Sequence, residues 1–118
     1  EIGSNSVVNR GTIDDTILED NVKIDDLVHI AHNCHIGKNT CIASGSVVGG
    51  SATIGRDCWL GTQCTIKNQV TIGHNVTIGI GAVVVKDVPD GAVLAGFKAQ
   101  TIGVMRAMAH NLESDVSS

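Results

Sequence analysis

A branched aliphatic residue recurs at every sixth position of this 118-residue chain, from residue 18 to residue 84. The twelve consecutive positions are Leu18, Ile24, Ile30, Ile36, Ile42, Val48, Ile54, Leu60, Ile66, Ile72, Ile78 and Val84. A period of six matches neither the 3.6-residue period of an α-helix nor the alternation of a simple strand. It is typical of a parallel β-helix built from hexapeptides, in which three short strands make one triangular coil. Residues three hexads apart, such as Ile30 and Val48, are therefore expected to stack on one another.

A second register of mostly small residues follows four positions after each aliphatic. Its members are Val28, Cys34, Thr40, Ser46, Ala52, Cys58, Cys64, Val70, Val76 and Ala82. Because side chains alternate along a short strand, both registers are expected to face the interior of the prism. Glycine often follows the aliphatic directly, and we interpret these glycines as corners that need a permissive backbone. They are Gly37, Gly49, Gly55, Gly61, Gly73 and Gly79.

The repeat predicts an all-β fold, a parallel β-helix of about five coils and roughly 24 Å in length at the ~4.8 Å spacing between strands. We assign residues 1–88 to this β-helix. Near its start Val8, Ile13 and Leu18 are five apart, which predicts two corners that are each one residue shorter.

The end of the chain departs from the period of six. The run from Lys86 to Gly91 contains the only proline and predicts a turn. We expect a short strand at 92–95 and a helix at 102–112, within a C-terminal segment, 89–118, of the same domain. A helix there would cover the unpaired edge of the last coil.

Composition and charge narrow the range of functions. The net charge is -4 and no basic cluster is present, so nucleic acid is not an expected partner. No apolar run approaches the ~20 residues of a membrane span. No signal-peptide pattern opens the chain.

Three of the four cysteines, Cys34, Cys58 and Cys64, fall in the inward register on three different faces, so they are expected to be buried free thiols. Free thiols predict a cytoplasmic location.

The segment from Val28 to Cys34 contains the most informative chemistry. His32 lies outside both core registers, at a corner, and a residue three hexads along is Gly50. Glycine there leaves the backbone N–H open. A general base beside an open backbone donor is the minimum apparatus for acyl transfer. The alternative is a solvated corner histidine beside a glycine that only turns the chain.

Three sequence segments are similar to those of a known family: Asn9–Ile17, Ile30–Asn33 and Gly50–Ser51. With these segments, residues 1–85 resemble the solenoid of the UDP-3-O-acylglucosamine N-acyltransferases of lipid A biosynthesis. The resemblance implies a left-handed β-helix and a homotrimer with active sites between subunits. It also implies that His32 is the general base and that the Gly50 N–H is the oxyanion donor.

Substrate-binding positions follow from the same resemblance. They are His29, Asp25, Ser51 and Gln69, with Asp25 at an acidic position near the acceptor and Gln69 in place of a family histidine near the pantetheine path. The run 86–100 instead resembles small acetyl-CoA-dependent hexapeptide acetyltransferases, and there Lys98 would meet a CoA phosphate; a solvated lysine is the alternative. Asn33 rather than Asp follows the base, and the family's uridine-binding domain has no counterpart in these 118 residues.

The predicted function is acyl transfer from a pantetheine thioester, acyl-CoA or acyl carrier protein, to an amine or hydroxyl of a sugar nucleotide. No bound cofactor and no metal are predicted. One alternative is a small acetyl-CoA-dependent sugar acetyltransferase, and another is a non-catalytic trimeric fragment. A zinc protein similar to hexapeptide γ-class carbonic anhydrases is disfavoured, because His29, His32 and His35 are three and six apart instead of showing a His-x4-His spacing.

Overall fold

A computed structural model describes residues 1–8 and 16–96 of the chain, and these residues form a three-sided parallel β-helix. Every strand in them is two residues long. The strands are β1 (Val7–Val8), β2 (Ile17–Leu18), β3 (Lys23–Ile24), β4 (His29–Ile30), β5 (His35–Ile36), β6 (Cys41–Ile42), β7 (Val47–Val48), β8 (Thr53–Ile54), β9 (Trp59–Leu60), β10 (Thr65–Ile66), β11 (Thr71–Ile72), β12 (Thr77–Ile78), β13 (Val83–Val84) and β14 (Val93–Leu94).

Three sheets make the faces of the prism. Face 1 has the order β1-β4-β7-β10-β13, face 2 has β2-β5-β8-β11, and face 3 has β3-β6-β9-β12-β14. The chain thus visits the three faces in turn, and all strand pairs are parallel. Ile30 lies beside Val48, as the stacking rule requires. The predicted fold, a left-handed β-helix of hexapeptides, is confirmed.

Both inward registers are buried as predicted. Ile30, Ile36 and Leu60 are each 0% exposed, while the residue before each aliphatic points out of the prism. The core is a stack of aliphatic ladders, which explains how a chain with 2% aromatic residues builds a core. Leu18 is the one member of the aliphatic series that is only partly buried, because it lies near the end of its face.

Polar members of the small register bind the next coil. Five of them donate to a backbone carbonyl 15 residues along the chain, which belongs to the residue that directly follows an aliphatic, whereas Cys64 bonds the Ser46 hydroxyl at 3.4 Å. The pairs are Thr16 with Ala31 (3.0 Å), Cys34 with Gly49 (3.1 Å), Thr40 with Gly55 (2.7 Å), Ser46 with Gly61 (3.0 Å) and Cys58 with Gly73 (3.1 Å). The buried hydroxyls of Thr40 and Ser46 are thereby satisfied.

The glycines after the aliphatics serve a different purpose from the one predicted. Their φ angles lie outside the left-handed region, so a permissive backbone is not the reason for glycine. A Cβ on Gly37 would instead lie 2.5 Å from the carbonyl carbon of Gly55 on the next coil, and one on Gly49 would lie 2.5 Å from the Asn68 nitrogen. The left-handed residues come two positions later, and they include Asn33, Asn39, Asp57 and Asn75.

The first coil is longer than predicted. Val7 pairs with His29, an offset of 22 residues, because 29 minus 7 is 22. Val8 and Leu18 lie on consecutive faces, so the chain takes ten residues where a hexad takes six. The prediction of two short corners was therefore wrong, although Ile13 itself lies outside the described residues.

At the other end the coil is shortened by two residues. Val88 bridges to Ile72 and Val93 pairs with Thr77, each with an offset of 16. The two residues are missing from the corner between Val84 and Val88, which precedes Pro89, and the chain then continues on face 3 as β14. The predicted helix at 102–112 lies outside the described residues. Over residues 1–8 and 16–96 no helix is long and apolar enough to span a membrane.

Candidate active site

His32 and Gly50 lie on the same edge of the prism, where face 1 turns into face 2. His32 follows β4, and Gly50 follows β7 one coil along. The coils are joined at this corner by a backbone bond from the Ser51 N–H to the His32 carbonyl, 2.9 Å long. Because each coil rises by one strand spacing, residues three hexads apart come into direct contact.

The imidazole of His32 lies close to the backbone of Gly50. A Cβ placed on Gly50 would be 3.2 Å from both Cε1 and Nε2 of His32. His32 is exposed and Gly50 is half-buried, so the ring nitrogen and the glycine backbone share one solvent-accessible corner. Proton transfer needs a base within hydrogen-bond reach of the reacting group, and this exposed ring offers one.

The backbone N–H of Gly50 is available to a ligand. We call the residue two positions after each aliphatic the leading corner residue. At other leading corner residues a side chain accepts from this N–H, as Asp25 does from Asp26 (2.8 Å), Glu19 from Lys38 (3.1 Å), His74 from Arg56 (2.9 Å) and Asp90 from His74 (2.8 Å). Within residues 1–8 and 16–96, the Gly50 N–H has no such acceptor. An unoccupied, outward N–H beside a histidine is suited to hold a developing oxyanion.

Asn33 is the second unusual group at this corner. It adopts a left-handed conformation, with φ of 60°, and its Oδ1 atom is buried without a hydrogen-bond partner among the described residues. Because residue 33 is Asn and not Asp, the residue that follows His32 supplies no carboxylate to orient the ring.

The other predicted site residues are spread over three places. Ser51 and Gln69 stack on the His32 corner, and the Gln69 N–H bonds the Gly50 carbonyl at 2.9 Å. His29 points outward from face 1, beside Val7 and Val47. Asp25 lies at the opposite edge of face 1, where face 3 turns into it, and it is not brought to the His32 corner by this chain alone. Lys98 lies outside the described residues.

Sequence reasoning missed the part played by Cys34. Its thiol is 1% exposed and lies 3.1 Å from the Gly49 carbonyl, on the peptide unit that carries the Gly50 N–H. Burial raises the pKa of Cys34, so the thiol stays protonated and remains a donor. The signal was present as a spacing of 15 residues between a small polar residue and a glycine.

Two grooves formed by the described residues 1–8 and 16–96 lie away from His32. One, of about 340 Å³, lies on face 3 and is lined by Lys23, Asp25, Cys41 and Trp59 among others. The other, of about 320 Å³, surrounds His35 on face 2. Over residues 1–8 and 16–96, no three His, Cys, Asp or Glu side chains are grouped closely enough to hold a metal ion.

The chain is similar to a known protein family and to solved structures. The family model described as bacterial transferase hexapeptide (six repeats) matches residues 15–50 and 51–86. The acetyltransferase domain of PglB from Neisseria gonorrhoeae FA1090 is 33% identical with a TM-score of 0.70, and the match covers 84% of this chain and 49% of that one. A search of curated proteins found no match.

Two serine acetyltransferase structures show the same fold. Isoform 3 from Entamoeba histolytica, in complex with cysteine, is 19% identical with a TM-score of 0.63, over 73% of this chain and 33% of that one. The Neisseria gonorrhoeae enzyme, in complex with serine, is 24% identical with a TM-score of 0.58, over 80% of this chain and 42% of that one. The chain thus spans half or less of the length of these structures. The predicted membership of the hexapeptide-repeat transferase family is confirmed.

Proposed function

Because the chain belongs to the bacterial hexapeptide-repeat transferase family, we propose that it transfers an acyl group from a thioester, with His32 as general base and the Gly50 N–H as oxyanion donor. The contact between the His32 ring and the Gly50 backbone is the observation that carries this proposal. It puts a proton acceptor and an unoccupied amide donor at one exposed corner.

The reaction follows from these two groups. A neutral His32 accepts the proton of the acceptor amine or hydroxyl as that atom attacks the thioester carbonyl. The carbonyl oxygen becomes an oxyanion and accepts a hydrogen bond from the Gly50 N–H. The tetrahedral intermediate then expels the thiolate, which takes the proton back from the imidazolium. The acyl group passes directly to the acceptor, and no covalent enzyme intermediate is required.

The proposed acceptor is an amine or hydroxyl of a sugar nucleotide, as in UDP-3-O-acylglucosamine N-acyltransferases. The acetyltransferase domain of PglB supports a short acyl group, so a small acetyl-CoA-dependent sugar acetyltransferase is the second candidate. Acyl-CoA is favoured over an acyl carrier protein, because a carrier is acidic and this chain has a net charge of -4.

We further propose that the chain works as a homotrimer in the cytoplasm. Exposed apolar side chains on two faces support assembly, since Trp59 is 52% exposed and Val83 is 67% exposed. Four free cysteines support a reducing compartment.

The test is a comparison of His32→Ala with His74→Ala. His74 is also an exposed leading corner histidine, on the edge between faces 2 and 3, so it controls for the loss of an imidazole from this position. With acetyl-CoA or a longer acyl-CoA and amino or hydroxyl sugar nucleotides as substrates, His32→Ala is expected to lose about 10²–10⁴ in rate. His74→Ala is expected to keep the wild-type rate.

Circular dichroism and thermal melting check that both variants are folded, and each change is expected to cost under ~1 kcal/mol. A folded His32→Ala variant with the wild-type rate would contradict the assignment. So would equal losses in the two variants.

A further inference from the structure

The inward hydroxyl and thiol groups donate to the carbonyls of certain corner peptides, and the N–H groups of these same peptides point out of the prism. A trans peptide is planar, with its C=O and N–H directed oppositely. The Gly55–Arg56 peptide shows both halves, because the Thr40 hydroxyl donates to its carbonyl from inside and His74 accepts from its N–H outside. An inner donor therefore fixes the direction in which the outer N–H points.

The Gly73–His74 peptide repeats this arrangement with a thiol as the inner donor. Cys58 lies 3.1 Å from the Gly73 carbonyl, and the Asp90 carboxylate accepts from the His74 N–H at 2.8 Å. Here the peptide is held from both sides by groups of the protein itself.

The Gly49–Gly50 peptide has a hydrogen-bond partner on its inner side only, among the described residues. Cys34 lies 3.1 Å from the Gly49 carbonyl, which matches the distance between Cys58 and the Gly73 carbonyl. On the outer side, no described residue accepts from the Gly50 N–H. Two consecutive glycines also make this the corner whose backbone is least restrained by its own side chains. The groups on either side of this peptide are held by the next coil, since the Gly49 N–H donates to the Ile66 carbonyl at 2.8 Å and the Gly50 carbonyl accepts from the Gln69 N–H at 2.9 Å. The peptide's own carbonyl is held by the Cys34 thiol, which adds a restraint on the direction of the N–H.

We propose that Cys34 is a positioning residue, whose thiol holds the Gly49–Gly50 peptide so that the Gly50 N–H faces the oxyanion. The proposal rests on the proposed function. The hydrogen bond to the carbonyl also polarises the peptide and strengthens its N–H as a donor, since hydrogen bonds in a chain reinforce one another. Cys34 itself touches no substrate, because it is buried beneath the corner.

The register supplies matched variants of the full chain. Cys34→Val removes the donor but keeps a residue that this register already accepts at Val28, Val70 and Val76. Cys34→Ser keeps a donor, as Ser46 does in the same register. Cys58→Val removes the equivalent contact at a corner without His32, and it controls for the loss of a buried thiol.

Steady-state kinetics separate a positioning role from a structural one. We expect Cys34→Val to lose about three- to tenfold in kcat, a small part of the ~10²–10³ that removal of a whole oxyanion donor costs. KM for the thioester and the pH dependence of kcat/KM should stay unchanged, because the base is intact. Cys34→Ser should recover most of the rate, and Cys58→Val should match the wild type. Equal kcat in Cys34→Val and Cys58→Val would overturn the proposal.

Nitrogen-15 chemical shifts provide a readout that does not depend on activity. The Gly50 amide resonance should move in Cys34→Val and return towards its original position in Cys34→Ser, while Cys58→Val should move the His74 amide instead. An unmoved Gly50 amide would overturn the contact itself, whatever the kinetics. If the shifts behave as expected but the wild type transfers no acyl group to any acceptor, the proposed function fails and the positioning role fails with it. If the wild type is active and only the variants are indistinguishable, the positioning role alone fails.

Discussion

Gly50→Ala is the sharpest test of the contact between His32 and its neighbouring coil. The φ angle of Gly50 lies outside the left-handed region, so an alanine backbone is not strained there. The added methyl group would meet the His32 ring at 3.2 Å and the His32 carbonyl oxygen at 3.6 Å, and these are its nearest contacts. The change therefore acts on the imidazole and leaves the core untouched.

The size of the effect follows from these distances. Carbon atoms in good contact are ~3.5–4.0 Å apart, so the ring must retreat by roughly 0.3–0.8 Å. The ring is the end of an exposed, rotatable side chain, and its movement should cost under ~1 kcal/mol of stability. A gain of about 0.4–1 kcal/mol from the lower entropy of the unfolded chain offsets this cost. Catalysis is less tolerant, because a displacement of ~1 Å from a productive geometry can cost ~10²-fold in rate.

Gly37→Ala is the matched control for folding. Its methyl group would lie 2.5 Å from the carbonyl carbon of Gly55 and 2.6 Å from the Arg56 nitrogen, and both are backbone atoms that cannot rotate away. Overpacking of this kind typically costs ~1–3 kcal/mol. We expect urea unfolding to show a clear loss of stability for Gly37→Ala and a change near zero for Gly50→Ala.

Acyl-transfer kinetics complete the test. Gly50→Ala is expected to melt like the wild type and to lose about 10- to 100-fold in kcat/KM. A stable Gly50→Ala variant with full activity would refute the catalytic role of the His32–Gly50 contact. A variant as unstable as Gly37→Ala would refute the packing argument, because the ring would then have no room to move.

Two further predictions concern stability and assembly. The pKa of Glu19 is lowered because its carboxylate accepts hydrogen bonds from His35 and from the Lys38 N–H, so Glu19 stabilises the fold above the ordinary Glu pKa of about 4.3 and loses this effect as the pH falls through its lowered value. Melting temperatures of the wild type and Glu19→Gln should therefore differ near neutral pH and converge in acid; a constant difference would show that Glu19 acts through packing alone. Sedimentation equilibrium is expected to give three times the chain mass of 12.2 kDa, and a stable monomer at micromolar concentration would contradict the trimer.

The regular part of the fold was predictable because a single physical constraint repeats. Each strand must bury one aliphatic in the prism, and each coil must align its backbone with the next. Ile30, Val48 and Ile66 meet both requirements at once, and their stacking follows directly from the period of six. No information about distant parts of the chain was needed.

The two irregular coils could not be derived in the same way. Leu18 lies five residues after Ile13, and that local spacing resembles a short corner. The pairings of Val8 with Ile30 and of Leu18 with Ile36 put Val8 and Leu18 on consecutive faces, ten residues apart instead of six. Spacing within one coil does not determine which coil position an aliphatic occupies, because pairing with the following coil does. The same holds for Val88, which reaches Ile72 because the corner between Val84 and Val88 is two residues shorter than a hexad.

The candidate site likewise has one part that the sequence predicts and one part that it does not. His32 and Gly50 are three hexads apart, so the stacking rule brings them together from sequence alone. Cys34 was missed because its contact with Gly49 is diagonal, from the small register of one coil to the corner of the next. A cysteine in an inward register also resembles a small apolar residue. Only the hydrogen-bond geometry shows whether its thiol donates a hydrogen bond or only fills space in the core.

The shape of a corner explains why neither the sequence nor one chain defines the acceptor. Substrate sites are concave and enclose most of their ligand. His32 lies on an outward edge of a three-sided prism, and two grooves formed by the described residues lie on the faces next to Trp59 and His35 instead. A convex edge can supply a base and an amide donor, but it cannot enclose a sugar nucleotide. If the chain is the proposed trimer, we expect a neighbouring copy to supply the second wall and residues of that wall to select the acceptor. On that proposal the catalytic residues follow from stacking within one chain, whereas specificity would follow from the interface, where the outward residues of faces 1 and 3 follow no repeat.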